Sequence, residues 1–186
     1  MKTISNFFDG KLIVSKSSDK LPLYKPTTGE EYAQIPVTTD KEFKLIIDKM
    51  KNAQISWANT PVTKRSAILF KFKSLIEKNF DEIARIISEE HGKVFSDAKG
   101  SLQRGLEVVD FACGIPHLLK GNHSINVGTN VDLFDIKQPL GICAGITPFN
   151  FPAMVPMWMF PMAIACGNVF MMKPSEKVPQ CSLKLG

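Results

Sequence analysis

Gln138-Pro139-Leu140-Gly141-Ile142-Cys143-Ala144-Gly145-Ile146-Thr147-Pro148-Phe149-Asn150-Phe151-Pro152 opens the part of the chain that decides its fold. Residues 138–172 carry no charge, and Pro139, Pro148, Pro152, Pro156 and Pro161 interrupt them. A charge-free run of this length is long enough for a membrane span, but prolines so closely spaced leave backbone acceptors unpaired in one unbroken transmembrane helix. The segment therefore predicts a buried strand, turn, helix and strand inside an α/β domain. Cys143 to Ile146, bounded by Gly141 and Thr147-Pro148, is the first strand. The helix opens at Pro152, where a missing N–H costs nothing, and closes at Gly167. Pro156 fits its first turn, whereas Pro161 should kink it. Val169 to Met172 is the second strand, running out into Lys173-Pro174-Ser175-Glu176. Polar groups thus converge beyond the carboxyl ends of two adjacent strands, where open parallel sheets bind ligands.

These residues resemble the aldehyde dehydrogenase superfamily and, among its branches, the CoA-acylating methylmalonate-semialdehyde dehydrogenases. The likeness rests on the fifteen-residue stretch quoted above, on Met157-Trp158-Met159-Phe160-Pro161-Met162-Ala163 and on Met172-Lys173-Pro174-Ser175-Glu176, with Phe149 where most other branches carry Trp. It runs from the Gly10-Lys11 hairpin onward, and the order and spacing of the motifs carry more weight than any one of them. The fold it implies is α/β and aldehyde dehydrogenase-like: an incomplete Rossmann-type NAD-binding domain with amino-terminal helices and part of an oligomerisation arm. Residues 1–120 would be hairpins and helices of the NAD-binding domain, 121–141 a strand of the arm, and 142–186 the first strand-helix-strand of the sheet.

An aldehyde attacked by a nucleophile becomes a tetrahedral oxyanion, and a fixed side-chain amide is a suitable neutral donor to it, worth roughly 3 kcal/mol. Asn150 fits that role on its chemistry, and the resemblance assigns it; the alternative is a turn Asn bonding its own backbone. Lys173 and Glu176 lie three apart across Pro174 and can offer a donor and an acceptor to vicinal hydroxyls, or else form a solvated charge pair. By resemblance those hydroxyls belong to the adenosine ribose of NAD, and the Glu176 carboxylate would repel the 2′-phosphate of NADP. Lys177 stands where the family more often carries Arg, keeping the charge without the planar fork. The resemblance also brings Thr147 and Phe149 to the cofactor through main-chain atoms. No GxGxxG motif occurs.

Upstream, Thr39 with Glu42 predicts a capping box, followed by a stripe of Phe43, Ile46, Ile47, Met50 and Trp57. A second helix from Thr60-Pro61 should bury Ile68, Leu69, Phe72, Leu75 and Ile76. A third carries Ile83, Ile86 and Ile87 and stops at Gly92. In the fourth, Ser96 to about Pro116, the stripe Leu102, Leu106, Val109 and Cys113 opposes Arg104, which lies near Val108 and Phe111. Apolar residues on both sides predict a helix covered twice and a partly buried Arg104 needing an anion. Gly105 in mid-helix costs roughly 1 kcal/mol relative to Ala, so a close neighbour is expected. The anion is either an internal acid or, as the resemblance implies for Arg104-Gly105, the substrate carboxylate held in a bidentate pair. Val131, Leu133, Phe134 and Ile136 predict a strand with a possible bulge, by resemblance part of the arm reaching another subunit of a homo-oligomer, a homotetramer in this family. Asp9-Gly10 and Pro26-Thr27-Thr28-Gly29 read as hairpin turns.

Composition agrees with this. The 186 residues are 44% hydrophobic, enough for one sizeable core, and the net charge of +5 is spread over helical lysines with no basic and aromatic stripe for nucleic acid. No apolar run of signal-peptide length follows Met1-Lys2-Thr3, so the expected location is cytoplasmic. Cys113, Cys143, Cys166 and Cys181 lack CxxC spacing, and no metal is expected; Cys143 and Cys166 read as reduced core residues. None of the four matches the family's nucleophilic cysteine, so the 186-residue chain alone is expected to be inactive. In the family a thiolate attacks the aldehyde, hydride passes to NAD and CoA displaces the thioester, with loss of CO2 giving propionyl-CoA or acetyl-CoA. Two alternatives stay open: part of a non-acylating semialdehyde dehydrogenase, or a non-catalytic nucleotide-binding or assembly module.

Overall fold

The computed structural model describes residues 2–186. In chain order the elements are β1 (Lys2–Thr3), β2 (Asn6–Phe8), β3 (Lys11–Ile13), β4 (Lys20–Tyr24), β5 (Glu31–Pro36), α1 (Asp40–Ala58), α2 (Val62–Lys78), α3 (Phe80–His91), α4 (Phe95–Cys113), α5 (Ile115–Leu118), β6 (His123–Gly128), β7 (Val131–Phe134), β8 (Ile142–Ile146), α6 (Met154–Ala165), β9 (Val169–Lys173) and α7 (Pro179–Leu185).

Both amino-terminal turns form as expected. Asp9 and Gly10 take φ of 54° and 70° between β2 and β3, the left-handed pair that a two-residue hairpin requires. The turn at residues 26–29 joins β4 to β5, which also pairs in parallel with β1. The capping box of α1 is complete: Glu42 N–H donates to Thr39 Oγ1 at 3.3 Å and Thr39 N–H to Glu42 Oε2 at 2.9 Å. The Glu42 carboxylate also accepts from the Ser15 hydroxyl at 2.7 Å and Lys16 N–H at 2.9 Å. The Ser15 bond is the chief cause that draws this acid down to about 2.

The core is a helical layer on the strand-helix-strand unit. Ile76 of α2, Ile83, Ala84 and Ile87 of α3, and Ala98, Leu102, Leu106 and Val109 of α4 meet Ala153 and Met157 of the α6 segment and Cys181 and Leu185 of α7. A second cluster joins Leu69, Ala112, Cys113, Ile115 and Ala165. Gly105 lets α4 approach α6 closely, since a Cβ there would lie 2.4 Å from Met157 Cε and 3.1 Å from Met154 Cα; the close neighbour expected at this glycine is α6.

Several helix faces differ from the expected ones. In α2, Ile68 and Leu75 are each 49% exposed, while Arg65, Leu69 and Ile76 are buried. A spacing of four, three and four through Arg65, Leu69, Phe72 and Ile76 defines one face, and Ile68 and Leu75 lie one position off it. In α1, Phe43 is 47% exposed and no residue is fully buried, because the helix packs on β8 and β9 along one edge only. Arg104 is exposed, not partly buried: the packed residues of α4 are Ala98, Ser101, Leu102, Gly105, Leu106, Val109, Ala112 and Cys113, and the face carrying Phe111, 60% exposed, has no second cover.

β8 and β9 run parallel, Ile142 opposite Val169 and Ile146 opposite Lys173, joined by α6. The helix begins two residues after Pro152 and ends at Ala165, with Pro156 in its first turn and Pro161 inside it. Burial of the charge-free segment is partial: Ile146 is 77% and Leu140 92% exposed. A two-stranded sheet has two faces, and α6 and α1 do not cover both. Cys143 and Cys166 are accordingly half-buried, while Cys113 and Cys181 are the fully buried thiols.

The carboxyl end of α6 is capped by one side chain just past it and by two from distant helices. Asn168 Nδ2 donates to Ala163 O at 3.1 Å, Trp57 Nε1 to Ile164 O at 2.9 Å and Arg65 Nε to Ala165 O at 2.9 Å. Arg65 is thus a buried guanidinium satisfied by carbonyls, one of them at the negative end of a helix, with no carboxylate partner among the described residues. β6 and β7 form a hairpin with a register irregularity between Ser124 and Gly128. Among the described residues no helix is long and apolar enough to cross a membrane.

Candidate active site

Thr147 N–H donates to Lys173 O at 3.1 Å, continuing the β8 and β9 pairing by one residue and fixing both strand exits at one level. Pro148 and Pro152 then bracket Phe149, Asn150 and Phe151 before α6 starts. Proline limits its own φ and the conformation of the residue before it, so the loop has few free torsions.

Asn150 is exposed, and its side-chain amide makes no hydrogen bond among the described residues. The alternative of a turn Asn bonded to its own backbone is therefore not the observed geometry. Its main-chain carbonyl accepts from Lys93 Nζ at 2.7 Å. Phe149, 47% exposed, stacks with His91 at 6.2 Å between centroids and 21° between planes, and Lys177 Nζ lies 4.8 Å from the Phe149 centroid. Thr147 is 4% exposed, and its Oγ1 is buried without a partner.

At the end of β9, Lys173 Nζ lies 3.1 Å from Glu176 Oε2, and both side chains stay about half exposed. Glu176 is held below the usual carboxylate range, first by its own backbone N–H and then by Lys173. Ser175 Oγ accepts from Lys177 N–H at 3.2 Å and braces the turn. Five of the expected site residues, Thr147, Phe149, Asn150, Lys173 and Glu176, with Lys177 over the Phe149 ring, thus gather at the two strand ends. Arg104 stands apart on α4, without hydrogen bond or ion pair among the described residues; its neighbour Gly105 touches the first turn of α6. Of the two anions considered for Arg104, an internal acid is not found among the described residues.

Two side chains at this site were not anticipated, His91 and Lys93. Burial lowers the pKa of both, aided at His91 by the Lys93 charge and opposed at Lys93 by Asp97. The sequence signal at His91-Gly92-Lys93 reads only as a helix stop, since their partners are more than fifty residues away. Chemically, the gathered groups offer an unengaged amide donor beside an exposed donor and acceptor pair, which fits a neutral carbonyl next to a diol-bearing ligand.

The sequence model of the aldehyde dehydrogenase family matches residues 13–186. The malonate-semialdehyde dehydrogenase of Pseudomonas aeruginosa is 46% identical over 185 residues, 98% of this chain and 37% of that protein. The acylating mitochondrial methylmalonate-semialdehyde dehydrogenase of Arabidopsis thaliana is 46% identical over 182 residues, 98% of this chain and 30% of that protein. Among solved structures, the methylmalonate-semialdehyde dehydrogenase of Oceanimonas doudoroffii superposes with a TM-score of 0.96 at 48% identity, over 100% of this chain and 38% of that one. A Sinorhizobium meliloti protein, provisionally assigned to the same activity and crystallised with NAD, gives a TM-score of 0.96 at 43% identity with the same coverage. The chain spans 30% to 37% of the length of these two curated relatives.

Proposed function

Because the chain belongs to the aldehyde dehydrogenase family, we propose that it is the amino-terminal part of an NAD-dependent, CoA-acylating methylmalonate- or malonate-semialdehyde dehydrogenase. The reaction converts semialdehyde, CoA and NAD into propionyl-CoA or acetyl-CoA, CO2 and NADH. The observation that carries this reading is the meeting of the Asn150 loop with the Lys173 and Glu176 pair at the ends of β8 and β9, fixed by the bond from Thr147 N–H to Lys173 O at 3.1 Å.

In this reading Asn150 donates its unengaged amide to the oxyanion that forms when a thiolate attacks the aldehyde carbon, and a prearranged donor needs no reorganisation at that moment. Glu176 accepts from, and Lys173 donates to, the vicinal hydroxyls of the adenosine ribose, and Glu176 disfavours a 2′-phosphate. The exposed pair leaves both heads free to exchange their mutual contact for a diol. Thr147 and Phe149 contribute main-chain groups at the cofactor, and Lys177 adds positive charge beside the Phe149 ring. Arg104, exposed and unpaired, is free to hold the substrate carboxylate. NAD, when bound, takes up the hydride released from the substrate carbon. Burial pushes the thiols of Cys113, Cys166 and Cys181 up, opposite to what an attacking thiolate requires, and none of them is assigned as nucleophile.

The β6 and β7 hairpin exposes Ile125 at 68%, Leu133 at 58% and Phe134 at 69%, a surface suited to cover by another subunit. The reading therefore includes a homotetramer in which this arm crosses the interface, and sedimentation of the complete enzyme checks it. Free thiols suit a reducing compartment; cytoplasm is the proposed location, and cell fractionation tests it.

The deciding experiment supplies malonate semialdehyde and NAD to the complete enzyme with and without CoA. Acetyl-CoA and CO2 that form only with CoA are expected. Free acid released at an equal rate without CoA refutes the acylating assignment in favour of a non-acylating semialdehyde dehydrogenase.

A further inference from the structure

We propose that Lys93 is a positioning residue for the Asn150 amide, acting through the Asn150 carbonyl and the Phe151 ring. The proposal rests on the reading of Asn150 as the oxyanion donor. α3 stops at Gly92, whose φ of 86° turns the chain back and delivers Lys93 toward the loop after β8. There the Lys93 ammonium donates to Asn150 O at 2.7 Å and sits 4.5 Å from the centroid of the Phe151 ring. A charged donor on a carbonyl is a short, strong contact, and an ammonium over a ring face adds attraction in the same place.

The consequence for the site follows from what is otherwise free. Pro148 and Pro152 stiffen the two ends of the loop, and the Asn150 side chain has no hydrogen-bond partner among the described residues. The backbone therefore sets its Cα–Cβ vector, the origin from which its few staggered rotamers reach into the crevice. Phe149 and Asn150 keep their backbone torsions between these prolines, and Lys93 grips the peptide joining Asn150 to Phe151 at its carbonyl oxygen and at the ring of the residue after it. His91, two residues earlier, stacks on Phe149, so the end of α3 braces the loop on either side of Asn150. An amide that swings by a few tenths of an ångström loses much of its benefit to the oxyanion while ground-state binding is untouched.

The test compares four variants of the complete enzyme: Asn150→Ala, Lys93→Met, Lys93→Arg and the Asn150→Ala/Lys93→Met double variant. Lys93→Met keeps the length of the side chain and removes the donor and the charge. It should lower kcat by about tenfold, the size of one hydrogen bond to a charged group, with KM for NAD and semialdehyde within twofold of wild type. Lys93→Arg, which retains donor and cation, should recover most of the loss. The double variant should be no slower than Asn150→Ala alone, because Lys93 acts only through that amide. If Asn150→Ala leaves kcat intact, the oxyanion reading fails and the inference falls with it. If Asn150→Ala is impaired but Lys93→Met is not, or the two losses multiply, or Lys93→Met raises KM while Lys93→Arg restores nothing, the positioning role alone is refuted.

Discussion

Replacing Gly105 with Ala should destabilise the protein by about 1 kcal/mol, while Gly100→Ala, earlier in the same helix, should stabilise it by roughly 0.5–1 kcal/mol. Both glycines lie in α4, and both substitutions gain the same helix propensity, about 1 kcal/mol in the limit. They differ in what the new methyl meets. At Gly100 it enters open space. At Gly105 it would lie 2.4 Å from Met157 Cε and 3.1 Å from Met154 Cα.

The first of those contacts is with the end of a flexible side chain, which can swing, but Met157 is fully buried and must find a new rotamer in a packed core. The second is with backbone at the start of α6, so the helices must separate by a few tenths of an ångström. Overpacking of this kind costs about 1–3 kcal/mol, which exceeds the propensity gain at its middle and leaves the net sign negative. Urea denaturation of each variant, with the m-value unchanged, reads the difference directly. A Gly105→Ala midpoint above that of wild type would refute the claim that α4 and α6 are in backbone contact at this point.

Glu90 is buried and accepts from Gln180 N–H at 2.8 Å and Cys181 N–H at 3.2 Å, yet desolvation prevails and raises its pKa from 4.5 to about 7. The folded state therefore binds the proton more tightly than the unfolded one. Its contribution is full below pH 4.5 and is lost as pH rises toward 7, a change of about 3 kcal/mol. The difference in stability between wild type and Glu90→Gln should follow that slope, and a difference independent of pH from 4.5 to 7 would contradict it. Arg104→Leu in the complete enzyme should reduce kcat/KM for carboxylated semialdehydes by about tenfold to a thousandfold, leave propanal nearly unaffected and hardly move Tm, since Arg104 is exposed; equal losses on both substrates with a lowered Tm count against the carboxylate role.

How far the sequence could be read depended on how local the determinants were. Thr39 and Glu42 specify a cap within four residues, and Asp9-Gly10 a turn within two, so both were visible as patterns. The charge-free segment showed its strand, helix and strand because proline and glycine punctuate it, and the resemblance pointed to Asn150 within it and to Lys173 and Glu176 just past its end. The polarity of burial was less legible. Phe111 and Val108 imply a second cover for α4, but an apolar residue does not state which surface meets it, and Arg104 proves exposed. Arg65 illustrates the converse: a charged residue was not read as part of the packed face of α2, and only the three-dimensional meeting with Ala165 O tells why a guanidinium is tolerated there. Lys93 and Asn150 are separated by 57 residues, a distance over which no spacing rule operates.

The missing contacts share one origin. Glu90, His91 and Lys93 stand together where α3 gives way to α4, and each reaches a different segment: Glu90 the first N–H groups of α7, His91 the Phe149 ring, Lys93 the Asn150 carbonyl. The two strand exits are tied to one another by the β8 and β9 ladder and by the bond from Thr147 N–H to Lys173 O that continues it, which set their level but not the direction of the chain beyond. That direction is set from outside the sheet, by one helix terminus that holds the loop after β8 and the segment after β9 at once. A helix buried through Ile83 and Ile87 is a rigid mount, and groups held on packed elements keep their geometry better than groups on loops alone. The Asn150 amide and the Glu176 carboxylate can therefore lie exposed on loops, while the segments that carry them are held by residues that touch neither group.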